Sequence, residues 1–322
     1  MRSRSLIFLF WLQILCLTGL TSITALAQDE GLSGEASHGG KGKWGSSVFV
    51  LSSVMLKQAQ DGAASISNYA YVSANYKLSQ DERINIRPAF TMATAGYDQY
   101  GVNQKSDTKL ADLYLNYANY NMALLPGEWG LSGQFRIYLP TSESTQNRKT
   151  IAYLQSWMIA QKVLKNGWAV QYNFKPTYYI QSQKAYRNEY DRVNSDGSIS
   201  TMIEPGTNPI GKLDHYLTVG KYLNEIFVPK VDIGFIHQWS YTSDWVNKGS
   251  DSRNQLKIAP GSEIHVNRNL WFILQMESDV DLNDTRSSYG DGSLRWEDSR
   301  KNHIELFRPE NTQFLLFTFW SI

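Results

Sequence analysis

Gln313-Phe314-Leu315-Leu316-Phe317-Thr318-Phe319-Trp320-Ser321-Ile322 is the stretch that decides the fold. It contains no charged residue, no Gly and no Pro, and most of its side chains are β-branched, aromatic or leucine, so it predicts a β-strand. One set of alternate positions is expected to face lipid: Phe314, Leu316, Thr318, Trp320 and Ile322. An edge strand this apolar needs a partner, and a closed membrane barrel supplies one by pairing its last strand with its first.

These residues resemble the last strand of bacterial outer-membrane β-barrels, which carries alternate apolar residues and an aromatic residue at or near the C-terminus. The terminal residue here is Ile322, and the aromatic residue is Trp320. The resemblance implies an all-β, up-and-down antiparallel transmembrane barrel in the outer membrane of a Gram-negative bacterium. It also implies two kinds of partner: outer-membrane lipids, and a barrel-assembly machinery that engages the C-terminal strand.

The first residues of the chain predict a secretory signal peptide over residues 1–27. Arg2 and Arg4 give a basic start, residues 6–20 form an apolar core, and Ala25-Leu26-Ala27 supplies small residues for cleavage before Gln28. A transmembrane anchor is the alternative, but the apolar run is short for a membrane span. We therefore expect an exported chain that begins near Gln28.

Composition limits the function classes. The chain has one cysteine, Cys16 within the predicted signal peptide, so a disulfide scaffold is not expected. Loss of Arg2 and Arg4 takes Lys plus Arg from 31 to 29 against 30 Asp plus Glu, a balance that argues against a nucleic-acid partner. The 19 Tyr and 10 Trp residues, with no long apolar run after residue 27, favour a transmembrane barrel.

Residues 28–42 are rich in Gly, Ser and charge and predict a flexible periplasmic leader, whereas residues 43–322 predict the barrel. The barrel region contains twelve candidate strands: 43–57, 65–79, 83–98, 108–123, 129–141, 150–164, 167–183, 211–222, 227–243, 253–266, 269–281 and 303–322. Pro309 interrupts the last segment and predicts a break in the strand there.

Connection lengths alternate between short turns and long polar loops. Residues 80–82, 124–128, 165–166, 223–226 and 267–268 are short connections, and 57–64, 99–107, 142–149, 184–210, 244–252 and 283–302 are long ones. Short turns at the periplasmic rim and long loops at the outer rim are typical of bacterial barrels. We expect loops 184–210 and 283–302 to fold inward as a constriction, to contact an external partner, or to be solvated.

The period of two along each strand separates lipid-facing from inward-facing positions. Aromatic residues at the ends of the lipid-facing rows predict an aromatic belt of Trp129, Trp168, Tyr178, Trp239, Tyr241 and Trp320. The predicted inward charges, which we expect to line a solute path, are Arg87, Asp112, Arg136, Lys175, Asp232, Lys257, Glu263 and Glu277, and Asp279 also points inward. A plug of salt-bridged side chains is the alternative to an open path.

Residues 110–141 carry a second resemblance. Leu110-Ala111-Asp112-Leu113-Tyr114-Leu115, followed by a Gly-rich strand that ends in Leu139-Pro140-Thr141, resembles the central hairpin of transporter-like barrels of the phenol-degradation (MetA-pathway) group. That group has a D-L-x-L strand and an L-P-T-G ending, and Ser142 replaces the last Gly here. The resemblance implies a barrel that passes small, hydrophobic molecules.

One segment raises an enzymatic alternative. Phe235-Ile236-His237-Gln238-Trp239-Ser240 is similar to outer-membrane phospholipases, whose His and nucleophilic Ser lie two residues apart on the lipid-facing side of one strand, with an Asn on the next. Here the spacing of three puts Ser240 on the opposite face from His237, which disfavours catalysis. We predict a narrow channel or transporter for small solutes, without cofactor or metal. The alternatives are a lipid-acting hydrolase and a closed structural or adhesive barrel that displays its outer loops.

Overall fold

Alternating side chains and regularly spaced turns produce a closed antiparallel barrel of twelve strands in the computed structural model of the chain. The structure describes residues 43–321 except 61, 63–64, 98–102, 105, 194–198, 243–251 and 283–305. The predicted signal peptide, the predicted leader and the loop 283–302 lie outside the described residues. In the described part, no helix combines the length and the apolarity that crossing a bilayer requires.

Ten of the barrel's strands are continuous segments, separated by turns or loops. They are β1 (Trp44–Met55), β2 (Ser67–Lys77), β9 (Trp129–Leu139), β10 (Thr150–Val163), β11 (Trp168–Gln181), β14 (Pro209–Lys221), β15 (Phe227–Ser240), β16 (Ser252–Asn267), β17 (Leu270–Asp281) and β18 (Thr312–Ser321). The remaining two barrel strands are each divided in two: β3 (Glu82–Arg87) continues as β4 (Ala89–Ala93), and β7 (Asp107–Leu110) continues as β8 (Leu113–Leu125).

The division after β3 has a simple cause. Pro88 has no N–H to donate to a sheet, so the hydrogen-bond ladder is interrupted there. β2 pairs with β3 on the short-turn side of Pro88 and with β4 on the long-loop side. The neighbouring strand is divided at Ala111 and Asp112, next to the same point. The sequence predicted each of these strands as one segment, and the count of twelve is confirmed once the two halves are joined.

Elements outside the barrel wall belong mainly to the long-loop rim. They are helix α1 (Leu56–Gln60), helix α2 (Glu143–Asn147), a small hairpin of β5 (Gly96–Tyr97) and β6 (Asn103–Gln104), a second hairpin of β12 (Ala185–Val193) and β13 (Ile199–Thr207), and a 3-10 turn, Pro309–Asn311. The loop 184–210 is therefore largely a hairpin. The predicted break at Pro309 is confirmed, since β18 begins only at Thr312.

The opposite rim has tight turns between neighbouring strands. Gly167 ends one of them, a 3-10 turn (Lys165–Gly167) between β10 and β11, with a φ of +77° that an L side chain rarely adopts. A Cβ at this position would also lie 2.9 Å from the backbone oxygen of Tyr222. Glycine is therefore required here both by the backbone conformation and by the close approach of the next turn.

The final strand closes the barrel. β18 pairs antiparallel with β1 from Ser47 opposite Ser321 to Met55 opposite Gln313, and with β17 on its other side. β1 also pairs with β2, so the ladder continues around the ring without a free edge. The expectation that the last strand is a seam with the first is confirmed.

The outer wall is apolar, as the period of two predicted. Outward side chains that remain exposed include Ile84, Ile86, Leu115, Phe135, Tyr172, Phe174, Leu217, Ile233, Phe235, Leu274 and Phe314. A continuous apolar wall of this kind is stable only against lipid.

The inner wall carries an aromatic row, which follows the hydrogen bonds from strand to strand. Its members, in spatial order, are Trp271, Phe319, Phe49, Tyr71, Tyr114, Tyr138, Tyr153 and Tyr179, and successive ring centroids lie between 3.7 Å and 5.9 Å apart. Because barrel strands are tilted relative to the barrel axis, a row of side chains that follows the hydrogen bonds around the barrel runs from one rim to the other. It starts next to a short turn at Trp271 and ends near the long-loop rim at Tyr179.

The lower part of this row is packed as a hydrophobic core inside the barrel. Phe49, Tyr71, Trp271, Ile273 and Phe319 are buried together, with Leu51, Tyr69 and Phe317 against them. This aromatic core fills the lumen beside β17, β18, β1 and β2. Little space for a solute therefore remains where these side chains pack together.

Candidate functional site

A cavity of about 420 Å³ lies inside the barrel and borders the aromatic core at Ile273 and Phe317. Inward positions of six consecutive barrel strands, β10, β11, β14, β15, β16 and β17, line most of it. Its charged lining residues are Lys175, Lys212, Asp214, Lys230, Asp232, Lys257, Glu277 and Asp279, and Trp157 and Gln275 are among its uncharged ones. The lumen of this barrel is thus divided into a packed aromatic half and a charged half with space.

Lys212, Lys230 and Lys257 of the cavity form ion pairs with carboxylates from the same strand or from a neighbouring strand. Lys212 Nζ lies 3.0 Å from Asp214 Oδ1, two residues along β14. Lys257 on β16 forms an ion pair with Glu277 on β17, and Glu277 also accepts a hydrogen bond from Gln313 Nε2 at 3.0 Å. These pairs compensate charges that the lumen removes from bulk water.

Asp232 is held by uncharged donors. Its carboxylate accepts hydrogen bonds from the Thr218 hydroxyl at 2.7 Å and from Gln275 Nε2 at 2.6 Å. The strands β14, β15 and β17 supply these three side chains, so the network crosses the wall of the cavity. Each oxygen of the Asp232 carboxylate therefore accepts a hydrogen bond from an uncharged donor.

Gly234 on β15 leaves room for side chains of the two neighbouring strands in the cavity wall. A Cβ at Gly234 would lie 2.2 Å from the backbone oxygen of His215 and 2.3 Å from the Cβ of Tyr216. Gly234 points inward, directly opposite Tyr216 on β14 and Lys257 on β16. The missing side chain lets Tyr216 and Lys257 lie against each other, 5.9 Å from ammonium to ring centroid.

The structure brings four of the eight predicted path residues into this cavity: Lys175, Asp232, Lys257 and Glu277. Glu263 lies nearby but is 0% exposed, with Lys230 Nζ at 3.7 Å and His265 Nε2 at 2.8 Å. Its role is to neutralise groups buried beneath the cavity. Lys230 links it to the cavity lining.

Arg87 and Arg136 point inward but are covered by the aromatic row. Arg87 is 1% exposed and donates to the hydroxyls of Tyr71 at 3.2 Å and Tyr114 at 3.0 Å. Arg136 donates to Gln134 Oε1 at 2.7 Å, and its guanidinium lies 5.1 Å from the ring of Trp157. Arg87 is therefore a structural part of the packed half, whereas Arg136 stands directly behind the cavity wall.

Asp112 takes a different position from the other predicted residues. It lies at the long-loop rim, where its carboxylate accepts hydrogen bonds from the Ser142 amide at 2.9 Å, the Thr145 hydroxyl at 2.7 Å and the Tyr153 hydroxyl at 3.2 Å. These bonds anchor the start of helix α2. Asp112 belongs to the D-L-x-L strand of the second resemblance, and Ser142 follows its L-P-T ending. Their hydrogen bond therefore holds the loop after β9 in place and lies outside the cavity.

The six residues of the predicted aromatic belt occupy the ends of the wall. Trp129, Trp168 and Trp320 lie next to the short turns, and Tyr178, Trp239 and Tyr241 lie near the long-loop rim. Trp168, Tyr178 and Trp239 are among the exposed large side chains. This placement at two levels is the geometry of residues that mark the two faces of a membrane.

Sequence reasoning missed several residues of the cavity. Lys212 and Asp214 alternate with Leu213, His215 and Leu217 on β14, so the period of two could have identified them. Trp157 was missed because β10 has few polar residues to mark its inward face. Its indole Nε1 donates to Asn173 Oδ1 at 2.9 Å, and its ring supports Lys175 Nζ at 4.1 Å.

A second polar cluster lies on the outer wall. His237 Nδ1 is 2.6 Å from Asn254 Oδ1 on the next strand, and its ring stacks on that of His215 at 5.4 Å. The Tyr172 hydroxyl lies 3.4 Å from His215 Nδ1. Ser240 points into the barrel, as the sequence predicted, whereas Ser252 shares the outer face of β16 with Asn254.

Comparison with known proteins finds similarity of fold and little similarity of sequence. No family model and no curated protein matches the chain. Among solved structures, the chain is similar to an outer-membrane channel from Pseudomonas putida F1, at 12% identity and a TM-score of 0.50 over 92% of this chain and 100% of that one. It also aligns with the β domain of the Bordetella autotransporter BrkA, at 11% identity and a TM-score of 0.46 over 87% and 100% of the two chains. A further alignment is with an outer-membrane phospholipase from Salmonella typhi, at 12% identity and a TM-score of 0.35 over 86% and 90%. The first similarity, together with the closed twelve-stranded ring and its apolar wall, shows that this chain has the fold of an outer-membrane β-barrel.

Proposed function

We propose that this protein is a narrow channel or transporter that passes small solutes across the outer membrane through the charged cavity. The observation that carries the proposal is the contrast between the two halves of the lumen. One half is a packed aromatic core, and the other holds about 420 Å³ of space lined by lysines and carboxylates. A barrel that served only as an anchor would gain stability from packing both halves, because buried charges are costly.

Thiol modification tests this proposal. Cys16 is the one cysteine of the sequence, so a chain refolded from Gln28 onward carries no native thiol. Gln255 lines the cavity, and a Gln255→Cys variant should react with a cationic methanethiosulfonate reagent from the aqueous phase. We expect each modification to lower the single-channel conductance in a planar bilayer, because the added group occupies the path.

Ser73→Cys is the matched control, since Ser73 is an inward residue of β2 that is buried beside the aromatic core. It should neither react nor change conductance. Conductance that is unaffected by complete modification of Gln255→Cys would mean that the current does not pass through the cavity, and the proposal would be wrong.

A lipid-acting hydrolase is the second candidate, favoured by the outer cluster of His237 and Asn254. Because the Asn254 side-chain oxygen accepts a hydrogen bond from His237 Nδ1, the neutral ring has an unprotonated Nε2 that could serve as a base. Ser252 on the same face is the hydroxyl to test as a nucleophile. Phospholipid hydrolysis by the refolded protein that is abolished in His237→Ala, with the barrel still folded, would establish this activity. Under the channel proposal, neither the wild-type protein nor the His237→Ala variant hydrolyses phospholipid.

A further inference from the structure

The charged side chains of the cavity alternate in sign along its strands. Among the described residues that line the cavity, four lysines are matched by four carboxylates, so their formal charges sum to zero. On β14, Lys212 and Asp214 are two residues apart on the inward face, and 3.0 Å separates Nζ from Oδ1. On β15, Lys230 and Asp232 have the same spacing and the same order. Each of these two strands therefore contributes one positive and one negative charge.

Opposite charges also lie next to each other across strand boundaries. Lys175 on β11 is directly opposite Asp214 on β14 in the antiparallel register. Lys257 on β16 is directly opposite Asp279 on β17, and it forms an ion pair with Glu277 on that strand. Every lysine of the described lining therefore has a carboxylate two residues away on its own strand, or one on the neighbouring strand.

Such mixing of signs leaves little attraction for an ionic solute. An ion that approaches Lys257 also approaches Glu277, whose charge opposes the attraction. To bind either side chain fully, the ion would have to displace the partner of that side chain, and a buried charge that loses its partner is costly. The ion also gives up hydrating water when it enters the cavity. Cations and anions are therefore disfavoured alike.

An uncharged solute with several hydroxyl groups leaves every ion pair of the lining intact. Its hydroxyls donate to carboxylate oxygens and accept from ammonium groups, and hydrogen bonds with a charged partner are stronger than those between neutral groups. Gln171 and Gln255 add amide groups to the same lining, and Tyr216 adds a phenol hydroxyl. A cavity of about 420 Å³ is large enough to hold a small molecule by its polar groups.

We propose that the cavity favours small uncharged polyhydroxyl solutes, of the class of polyols and monosaccharides, over ions of similar size, without a preference between anions and cations. This inference rests on the proposed channel function and specifies its substrate class. The ion pair of Lys257 and Glu277 is a determinant of this specificity, because each charge offsets the attraction that the other would exert on an ion.

Exchange of labelled solutes across proteoliposomes tests the inference. Three radiolabelled probes of similar size would be compared: erythritol as the uncharged polyol, ethanesulfonate as the anion and tetramethylammonium as the cation. Each probe is present at the same concentration on both sides, so that only the label exchanges and no membrane potential develops, and protein-free liposomes give the background. We expect the wild-type protein to exchange erythritol at least about fivefold faster than either ion, and the two ions at rates within about twofold of each other.

Variants of the ion pair test its role in specificity. Glu277→Gln leaves the lining with an excess of one positive charge and should raise the ratio of ethanesulfonate to tetramethylammonium exchange at least about fivefold. Lys257→Gln leaves an excess of one negative charge and should lower this ratio by a similar factor. The double variant Lys257→Gln/Glu277→Gln is balanced again, so its ratio should return to the wild-type value.

Lys165→Gln and Glu225→Gln are the matched controls, since they make the same chemical changes in exposed turns of the short-turn rim. Both should keep the wild-type ratio of the two ions and the wild-type rate of erythritol exchange. Migration of the folded barrel on an unheated gel confirms that each variant has folded.

The possible outcomes separate this inference from the proposed function. Faster exchange of erythritol, with opposite shifts of the ion ratio in the two single variants, supports the inference. If either ion exchanges as fast as erythritol, or if both single variants keep the wild-type ratio, the inference is wrong and the channel function stands. If no probe exchanges faster than in protein-free liposomes, the channel function itself is wrong.

Discussion

Replacement of Phe319 by alanine tests the aromatic core that divides the lumen. Phe319 is 1% exposed, and its ring stacks on Trp271 at 3.7 Å and contacts Phe49 at 4.9 Å. Loss of a phenylalanine from a packed core costs about 3–5 kcal/mol, which includes the cavity that remains. Because two ring contacts are lost at the seam between β1, β18 and β17, we expect Phe319→Ala to lower the free energy of unfolding by about 4 kcal/mol.

Phe314→Ala is the matched control, because Phe314 lies on the same strand but faces outward and is 38% exposed. It loses contact with lipid chains that can refill the space, so a smaller loss of about 2 kcal/mol is expected. Urea titration of the barrel refolded in phospholipid vesicles, followed by tryptophan fluorescence and gel migration, measures both values. Equal losses in the two variants would show that the interior aromatic residues are not packed as a core.

Three further substitutions test individual contacts. Asp112→Asn should weaken the anchor of helix α2 and accelerate proteolytic cleavage near Ser142, with a loss of about 1–2 kcal/mol in barrel stability; unchanged cleavage would contradict the anchor. Glu263→Gln should destabilise the barrel by about 3–5 kcal/mol, because Lys230 is left buried without the carboxylate of Glu263. A Glu263→Gln/Lys230→Met double variant should recover much of that loss of stability in the same urea titration. Gly234→Ala should cost at least about 1–3 kcal/mol through overpacking, and a variant as stable as the wild type would mean that the wall is not close-packed there.

The strands and their faces followed from the sequence because both depend on local patterns. A period of two decides which side chains face lipid, and turn residues decide where a strand ends. Trp168 and Tyr172 face out, and Asn173 and Lys175 face in, as that period requires. The closing role of residues 313–321 followed for the same reason, since an apolar strand needs pairing on both edges.

The contents of the lumen could not be predicted from strand parity. Parity shows that Phe49, Tyr71 and Phe319 point inward, and the predicted closure makes their strands neighbours, but neither gives the register that brings the three rings together. The division of the barrel into an aromatic half and a charged half depends on that register. Arg87 and Lys175 were both predicted as inward cations of a strand. Arg87 nevertheless lies in the aromatic half of the lumen, and Lys175 lies in the charged half.

Loop structure also depended on contacts distant in sequence. Asp112 was indistinguishable from a wall charge, because its partner Ser142 is 30 residues away. The hairpin of β12 and β13 lies in a polar segment whose alternation is weak, so the sequence indicated only a long loop. In both cases the determining interaction is tertiary, and a local pattern does not record it.

Single-channel recording of the wild-type protein tests the central claim most directly. The purified, refolded barrel would be inserted into a planar lipid bilayer and recorded in chloride salts of several cations and at several salt concentrations. We predict discrete conductance steps that are small, because the path is confined to the charged half of the lumen. A correctly folded barrel that inserts and gives no steps in any of these salts would contradict the account.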